Sequence, residues 1–372
     1  MALQAHLCSL ASCDCPAFGP RACCDVPEVL EQLLRPTTVG FDSEVFPFSS
    51  LFREALLMSG TAPLSHDSST TATQAMAARM RKRECRVAAM CRFQQRLRSL
   101  PLELIHIAVD PDCYCGGTGA SSLAAAAAPN LKLPKGNISR FVLRRLRPLY
   151  HKFLCEIVAP DVAAAMHSAG LQCSSVFVQA APCLRMACPS GMAATHPHCD
   201  AMYYHQPGQI NYWLPLTHAF GNNSLWVESA PFRLDHAPLD VKCGEVARFY
   251  GNRCTHFTVP NDTQHTRITL DFRAVPGCLF QRDYKLSRDR MGRQMFAVGG
   301  YYAECRNENG EWMIVRHKDV GDEELGDAEE NNSAQQDEPG VRSNPMRTAC
   351  ACASCLVLSR WMPERGPPVF HE

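Results

Sequence analysis

Past Gly170 the chain changes its period. The stretches "SSVFVQAAP", "CLRMACP", "QINYWLPLT", "NSLWVES", "VKCGEVARFYG", "CTHFTVPN" and "RITLDFR" are short and bounded by Gly, Pro, Asn or Asp. Many alternate, and many carry β-branched or aromatic residues. Short strands at close, regular spacing predict a sandwich, jelly roll or barrel. Ahead of them, residues 138–169 space their apolar side chains as a helix does. Pro148 and Pro160 interrupt that stretch and mark helix starts or kinks. Helices that precede the strands pack on one face of them, which gives an α+β class.

The N-terminal part reads differently. Asp25-Val-Pro-Glu starts a helix, with an acidic cap, a Pro in the first turn and an apolar stripe at Leu30, Leu33 and Leu34. A second short helix is predicted over Leu51 to Met58, and a basic helix over residues 74–98. Residues 61–73 and 110–137 read as loops, while 101–109 reads as a strand or a helix end. The resulting division is a disordered Cys-rich segment (1–25), a helical extension with a variable loop (26–137), a core with its leading helices (138–305) and a mostly disordered acidic tail (306–372).

Composition excludes several classes. Lys plus Arg and Asp plus Glu both number 37, so no net field recruits nucleic acid or an anionic membrane. The Arg cluster of residues 74–98 reads as a solvated face. No apolar run spans a bilayer. There are 21 Cys, at irregular spacing and odd in number. With no secretory leader in view, they read as free thiols in a reducing, cytoplasmic compartment, organellar targeting remaining open. A zinc site from Cys350, Cys352 and Cys355 lacks an evident fourth ligand. The partner these features leave is a small molecule, with neither nucleic acid nor membrane; oligomeric state is not encoded in them.

Chemistry concentrates in two stretches, "ATHPHCDAMYYHQ" and "RFYGNRCTHFTVPNDTQHTRITLDFR". On a strand, residues two apart share a face, about 6.5–7 Å apart along the chain. His198 and Asp200 can thus reach one ion, and His256 from a neighbouring strand closes a three-ligand face. Two His and one carboxylate with open positions suit non-haem Fe(II). Arg267 offers a planar fork for a carboxylate, and Thr258 a hydroxyl on the face of His256. Each piece alone is ordinary: His-x-Asp occurs by chance, a lone His is a core residue, and Arg267 has Asp271 as a potential ion-pair partner on its own strand face. Their order and strand context together point to a metal site. A cupin-type pair of His196 and His198 lacks the Glu such a site wants. Zinc hydrolysis on the same three ligands leaves Arg267 and Thr258 without a role.

The order His198-x-Asp200, His256, Thr258, Arg267 resembles the Fe(II)/2-oxoglutarate-dependent dioxygenases, in particular the phytanoyl-CoA dioxygenase-like branch. "HCDAMYYHQPGQINYWLPLT", "GNNSLWVES" and "GGYYAEC" are similar to a streptomycin-biosynthesis subgroup of that branch. The resemblance covers about residues 140–305. It implies a double-stranded β-helix (jelly-roll, cupin-like) core with flanking N-terminal helices. It implies Fe(II) held by His198, Asp200 and His256. It also implies 2-oxoglutarate held by Arg267 and Thr258 beside Trp213, and O2 as oxidant. The implied reaction releases succinate and CO2 while a bound small polar metabolite is hydroxylated. "WVESAPF" departs from the branch pattern, so no CoA thioester is carried over. Arg273 is a second candidate for the co-substrate carboxylate, and Tyr204, Gln209, Asn211 and Glu228 are candidate substrate contacts. The alternatives are a jelly-roll binding protein without turnover and a protein hydroxylase.

Overall fold

The computed structural model describes residues 35–58, 91–108, 137–231, 233–289 and 291–315. The calls on residues 1–34, on most of the basic helix and the 110–136 loop, and on the tail beyond 315 lie outside these. Among the described residues the protein is a mixed helix and antiparallel-sheet structure.

Eleven strands are described: β1 (Thr37–Gly40), β2 (Ser175–Gln179), β3 (Cys183–Ala187), β4 (Ile210–Pro215), β5 (Trp226–Val227), β6 (Ala237–Pro238), β7 (Glu245–Phe249), β8 (His256–Phe257), β9 (Arg267–Pro276), β10 (Tyr302–Glu308) and β11 (Glu311–Val315). The large sheet runs β1-β7-β4-β9-β2-β10-β11, with β3 also on β9. Strand β9 is its spine. One edge pairs with β4, from Ile210↔Ala274 to Pro215↔Thr269. The other pairs with β3 along its first half and with β2 along its second. The small sheet runs β6-β5-β8.

The alternation of β9 explains the layers. Ile268, Leu270, Phe272 and Ala274 face one way and are buried. Phe272 packs edge-on to Tyr150, with ring centroids 5.2 Å apart, and stacks on Tyr212 at 5.6 Å. Tyr150 comes from the Asn137–Phe153 helix, so the helices cover this apolar face. Arg267, Thr269, Asp271 and Arg273 face the other way. Side chains of such polarity inside a protein need partners or a ligand, and that face carries the site.

The helical prediction for 138–169 matches a continuous run: an α-helix at Asn137–Phe153, a π-turn at Leu154–Val158 and an α-helix at Ala159–Ser168. The π-turn has a local cause. Pro160 has no N–H to donate and its ring crowds the carbonyl four residues back. A wider turn relieves that crowding, with the Ala159 N–H reaching the Leu154 carbonyl. The helix predicted at Leu51–Met58 begins earlier, at Phe48. The 101–109 stretch resolves as a 3-10 turn at Leu102–Leu104 followed by a short helix at Ile105–Ala108.

Two boundaries need correction. The sheet does not stop at 305: β10 continues into a hairpin with β11, from Glu304↔Val315 to Glu308↔Glu311. Its turn is Asn309-Gly310, both at positive φ, a two-residue hairpin signal that the sequence reading passed over. The 26–137 segment is not purely helical either, because β1 pairs with β7 in the large sheet. Among the described residues no helix is long and apolar enough to cross a membrane.

Candidate metal and anion site

His198 and Asp200 do not lie on one regular strand, as the two-residue spacing had suggested. His198 forms an isolated bridge with His256, exchanging both backbone bonds (3.2 and 2.8 Å). Cys199 is extended and Asp200 then opens a 3-10 turn, its N–H bonded to the Gly251 carbonyl at 2.8 Å. One extended residue between the two is enough to bring both side chains to the same side. His256 begins β8, so the bridge sets the two imidazoles side by side, ring centroids 4.3 Å apart.

The ligand atoms of His198, Asp200 and His256 lie within 4.8 Å of one another. Both imidazoles place Nδ1 beside a backbone carbonyl: His198 against His196 at 2.8 Å, and His256 against Cys254 at 3.0 Å. A carbonyl only accepts, so Nδ1 carries the proton and Nε2 carries a lone pair. Those Nε2 atoms stand 4.0 Å (His198) and 3.6 Å (His256) from Oδ1 of Asp200. Burial first, then His256, depresses His198 to about 3, and burial depresses His256, so both rings stay neutral. Burial alone raises Asp200, but Arg273 first, then His205, His256 and His198, bring it below the ordinary carboxylate range. Oδ1 of Asp200 is buried and has no hydrogen-bond donor among the described residues. Two imidazole lone pairs and one bare carboxylate oxygen thus converge with no proton between them. That donor set fits a divalent metal ion.

The other oxygen of Asp200 is fully engaged. Oδ2 accepts from Gln209 Nε2 (2.9 Å), Asn211 Nδ2 (2.9 Å) and Arg273 Nε (3.2 Å). Asn211 and Arg273 are opposite residues of β4 and β9. Gly251 lets the Asn211 amide lie close: a Cβ there would fall 2.5 Å from Nδ2.

Arg267 is the second feature of the site. It is 2% exposed, and its Nε and Nη1 have no hydrogen-bond partner among the described residues. The alternative pairing with Asp271 is not made. Asp271 takes Nε of Arg185 on both oxygens, at 3.0 and 3.1 Å, and lies 3.9 Å from Arg273. Arg267 instead lies over the Trp213 ring, 5.4 Å from its centroid. Burial first, then Arg185, pushes its guanidinium down to about 10. On this face Arg185 is paired with Asp271 and Arg273 with Asp200, which among the described residues leaves Arg267 as an unpaired buried cation. Thr269, two residues along the same face, also has an unpartnered buried hydroxyl. Thr258 accepts the N–H groups of Ala194 (2.9 Å) and Thr195 (2.8 Å). Those bonds fill the acceptor side of its hydroxyl, so what it has left is an O–H to donate.

The candidate substrate contacts fare differently. Gln209 and Asn211 both give their NH2 groups to Asp200, while Oδ1 of Asn211 is buried without a partner among the described residues. Both oxygens of Glu228 are taken by backbone, Oε2 by Thr255 N–H (2.6 Å) and Oε1 by Leu234 N–H (2.9 Å), so it clamps a loop. Tyr204 is exposed and adopts a left-handed conformation at the end of the 3-10 turn. Arg273 does not wait for a co-substrate carboxylate, because it holds Asp200. Tyr203, which carries no motif signal, is a further neighbour: its ring stands edge-on to His198 with centroids 5.4 Å apart, and the residue is 50% exposed. Of the three ligand side chains His198 is the most open, at 14% against 1% for Asp200 and 6% for His256. The open side of the cluster therefore lies over His198 and Tyr203.

Over 132 residues the chain is 33% identical to the streptomycin biosynthesis protein StrG of Streptomyces griseus, a match covering 35% of this chain and 63% of that relative. The match therefore spans less than two thirds of that relative's own length. No protein-family model matches the chain. Among solved structures it is similar to AviO1 from Streptomyces viridochromogenes Tue57, at 16% identity over 69% of this chain and 97% of that one, with a TM-score of 0.36. It is also similar to the non-heme monooxygenase ThoJ in complex with nickel, at 14% identity over 66% and 86% of the two chains and a TM-score of 0.33. The alpha-ketoglutarate-dependent carbocyclase SnoK from nogalamycin biosynthesis matches at 12% identity over 36% and 61%, with a TM-score of 0.28. These likenesses are too distant to define the fold more closely.

Proposed function

We propose that the protein is an Fe(II)- and 2-oxoglutarate-dependent oxygenase that oxidises a small polar metabolite. One observation carries the reading: two imidazole nitrogens and a carboxylate oxygen converge without a proton, and the β9 face whose Arg273 holds that carboxylate also carries a buried guanidinium with unpartnered Nε and Nη1. The cluster calls for a cation and the guanidinium for an anion. A keto-diacid that chelates the metal at one end and ends in a carboxylate at the other answers both demands.

In this reading Nε2 of His198, Oδ1 of Asp200 and Nε2 of His256 hold the metal. Arg267 would grip the far carboxylate through its guanidinium, whose Nε and Nη1 have no partner among the described residues, and the Thr258 and Thr269 hydroxyls would donate to the same ligand. Trp213 backs the guanidinium and keeps water from it. The bound ferrous ion, with 2-oxoglutarate and O2, would supply the oxidising power, leaving succinate and CO2 as co-products. The chain supplies orientation and exclusion of water. Substrate would enter over His198 and Tyr203. A large antiparallel sheet and a second, small one are the parts a double-stranded β-helix would be built from. The StrG relative is named for streptomycin biosynthesis, and on that ground we take a small polar metabolite as the substrate class.

The test is succinate formation from 2-oxoglutarate with Fe(II) and ascorbate, comparing wild type with His256→Ala. The reading predicts metal-dependent succinate in the wild type and background in the variant. Equal background in both overturns it. Metal binding without any turnover would leave a ligand-binding protein. A substrate found only among polypeptides would make the protein a protein hydroxylase.

A further inference from the structure

Asp200 is held asymmetrically, and that asymmetry has a chemical use. Its Oδ2 accepts three donors, from Gln209, Asn211 and Arg273, while Oδ1 accepts none. A free carboxylate has about four lone-pair positions and could offer either or both oxygens to a metal. We propose that Arg273, with Gln209 and Asn211, is a positioning device that commits Oδ2 of Asp200, making Asp200 a one-oxygen ligand, and that Tyr302 sets the direction of the Gln209 amide. The proposal rests on the metal reading above.

The device needs each amide turned the right way. A Gln can present either its oxygen or its NH2, and the oxygen would repel the carboxylate. The Tyr302 O–H donates to Oε1 of Gln209 at 3.2 Å, so the NH2 is left facing Asp200. Arg273 is set in the same manner. Its Nη1 donates to Oε1 of Gln179 at 3.4 Å, and Tyr301 O–H donates to that same oxygen at 3.0 Å. Nε2 of Gln179 is engaged by the Ala181 carbonyl at 2.7 Å, which fixes the Gln179 amide in turn. The chain of oriented groups thus runs from Tyr301, Tyr302 and β2, through β4 and β9, to one oxygen of Asp200. This gives a role to Tyr301 and Tyr302, the tyrosines of "GGYYAEC".

Denticity decides what the metal has left. On a six-coordinate ion, three protein atoms leave three positions, enough for a keto acid at two and O2 at one. A two-oxygen Asp200 would leave only two. The latch on Oδ2 therefore protects the third position.

Co(II) serves as the probe, because its d–d absorption reports coordination number without turnover. The full-length chain and its Arg273→Met, Arg273→Lys and Tyr302→Phe variants are titrated with Co(II), then with 2-oxoglutarate. We expect Arg273→Met to bind Co(II) about 10–100-fold more weakly, as for other residues that orient ligands. Its d–d spectrum should change. Arg273→Lys should recover part of the affinity, and Tyr302→Phe should move the spectrum in the same direction by less. Unchanged affinity and spectrum in folded Arg273→Met and Tyr302→Phe overturn the inference while leaving the metal reading intact. Should Arg273→Met fail to fold, Tyr302→Phe decides alone: a spectrum like that of the wild type overturns the inference. A wild-type protein that binds no Co(II) overturns the metal reading, and this inference with it.

Discussion

Arg267 gives an unusual stability prediction: replacing it with Met should make the ligand-free protein more stable. Arg267 is 2% exposed, and two of its guanidinium nitrogens have no partner among the described residues. Its depression to about 10 corresponds to a penalty of about 3 kcal/mol for holding the charge inside. The sign follows from linkage. The folded state binds the proton less tightly than the unfolded chain, so the penalty applies in full below about 10 and fades as pH rises through that value. Met fills similar volume without charge. It loses the contact over Trp213, worth about 1 kcal/mol. The net gain at neutral pH is about 2 kcal/mol, or roughly 4–8 °C in melting temperature for a domain of this size. The wild type should recover its deficit when an anion arrives. With Co(II) and 2-oxoglutarate at a hundredfold excess over Kd, stabilisation is about 2.7 kcal/mol. The Met variant should show little of the 2-oxoglutarate part. The assay is thermal unfolding of both proteins, with Co(II) alone and with Co(II) plus 2-oxoglutarate. A variant that melts below the wild type without 2-oxoglutarate, or that keeps the full 2-oxoglutarate shift, refutes the reasoning.

Other substitutions separate architecture from site. Asp161→Ala removes the partner of Arg248, bonded through Nη1 at 2.6 Å, and of the Tyr212 hydroxyl, and should cost about 3–5 kcal/mol in urea unfolding. A loss under about 1 kcal/mol would mean the pair is solvated. Gly251→Ala should drive the Asn211 amide from Asp200 and weaken Co(II) binding, with the melting temperature as control for folding; unchanged binding would show that Asn211 is dispensable. Glu228→Gln puts an NH2 against one of two backbone donors and should cost about 1–3 kcal/mol without changing the Co(II) spectrum. A spectral change would return Glu228 to the site.

What was legible in the sequence, and what was not, follows from the range of each interaction. The strands around Cys183–Ala187, Ile210–Pro215 and Arg267–Pro276 announce themselves by alternation and turn residues, which are local. His198, Asp200, His256 and Arg267 were found because their types and order are unusual together. The partners of Asp200 were not, because Asn211 meets Arg273 through strand register, and spacing along the chain does not encode register. Gln209 and Asn211 look the same in sequence whether they face a substrate or a carboxylate. The strand at Thr37–Gly40 was hidden for the same reason, its partner Glu245–Phe249 lying some two hundred residues away. Asn309-Gly310 is the opposite case: a local hairpin signal was present and was overlooked in an acidic context. Arg267 against Asp271 shows a further limit. Shared face made the pair an alternative that sequence could not discard, and it is Arg185, across the ladder on β3, that takes Asp271.

Anaerobic calorimetric titration with Fe(II), followed by 2-oxoglutarate, probes the heart of the account in one cell. We predict one ferrous ion per chain, bound far more weakly once His198, Asp200 or His256 is changed to Ala. One 2-oxoglutarate should then bind only when the metal is present and Arg267 is intact. Ferrous binding indifferent to all three substitutions, or 2-oxoglutarate binding that needs neither metal nor guanidinium, would contradict it.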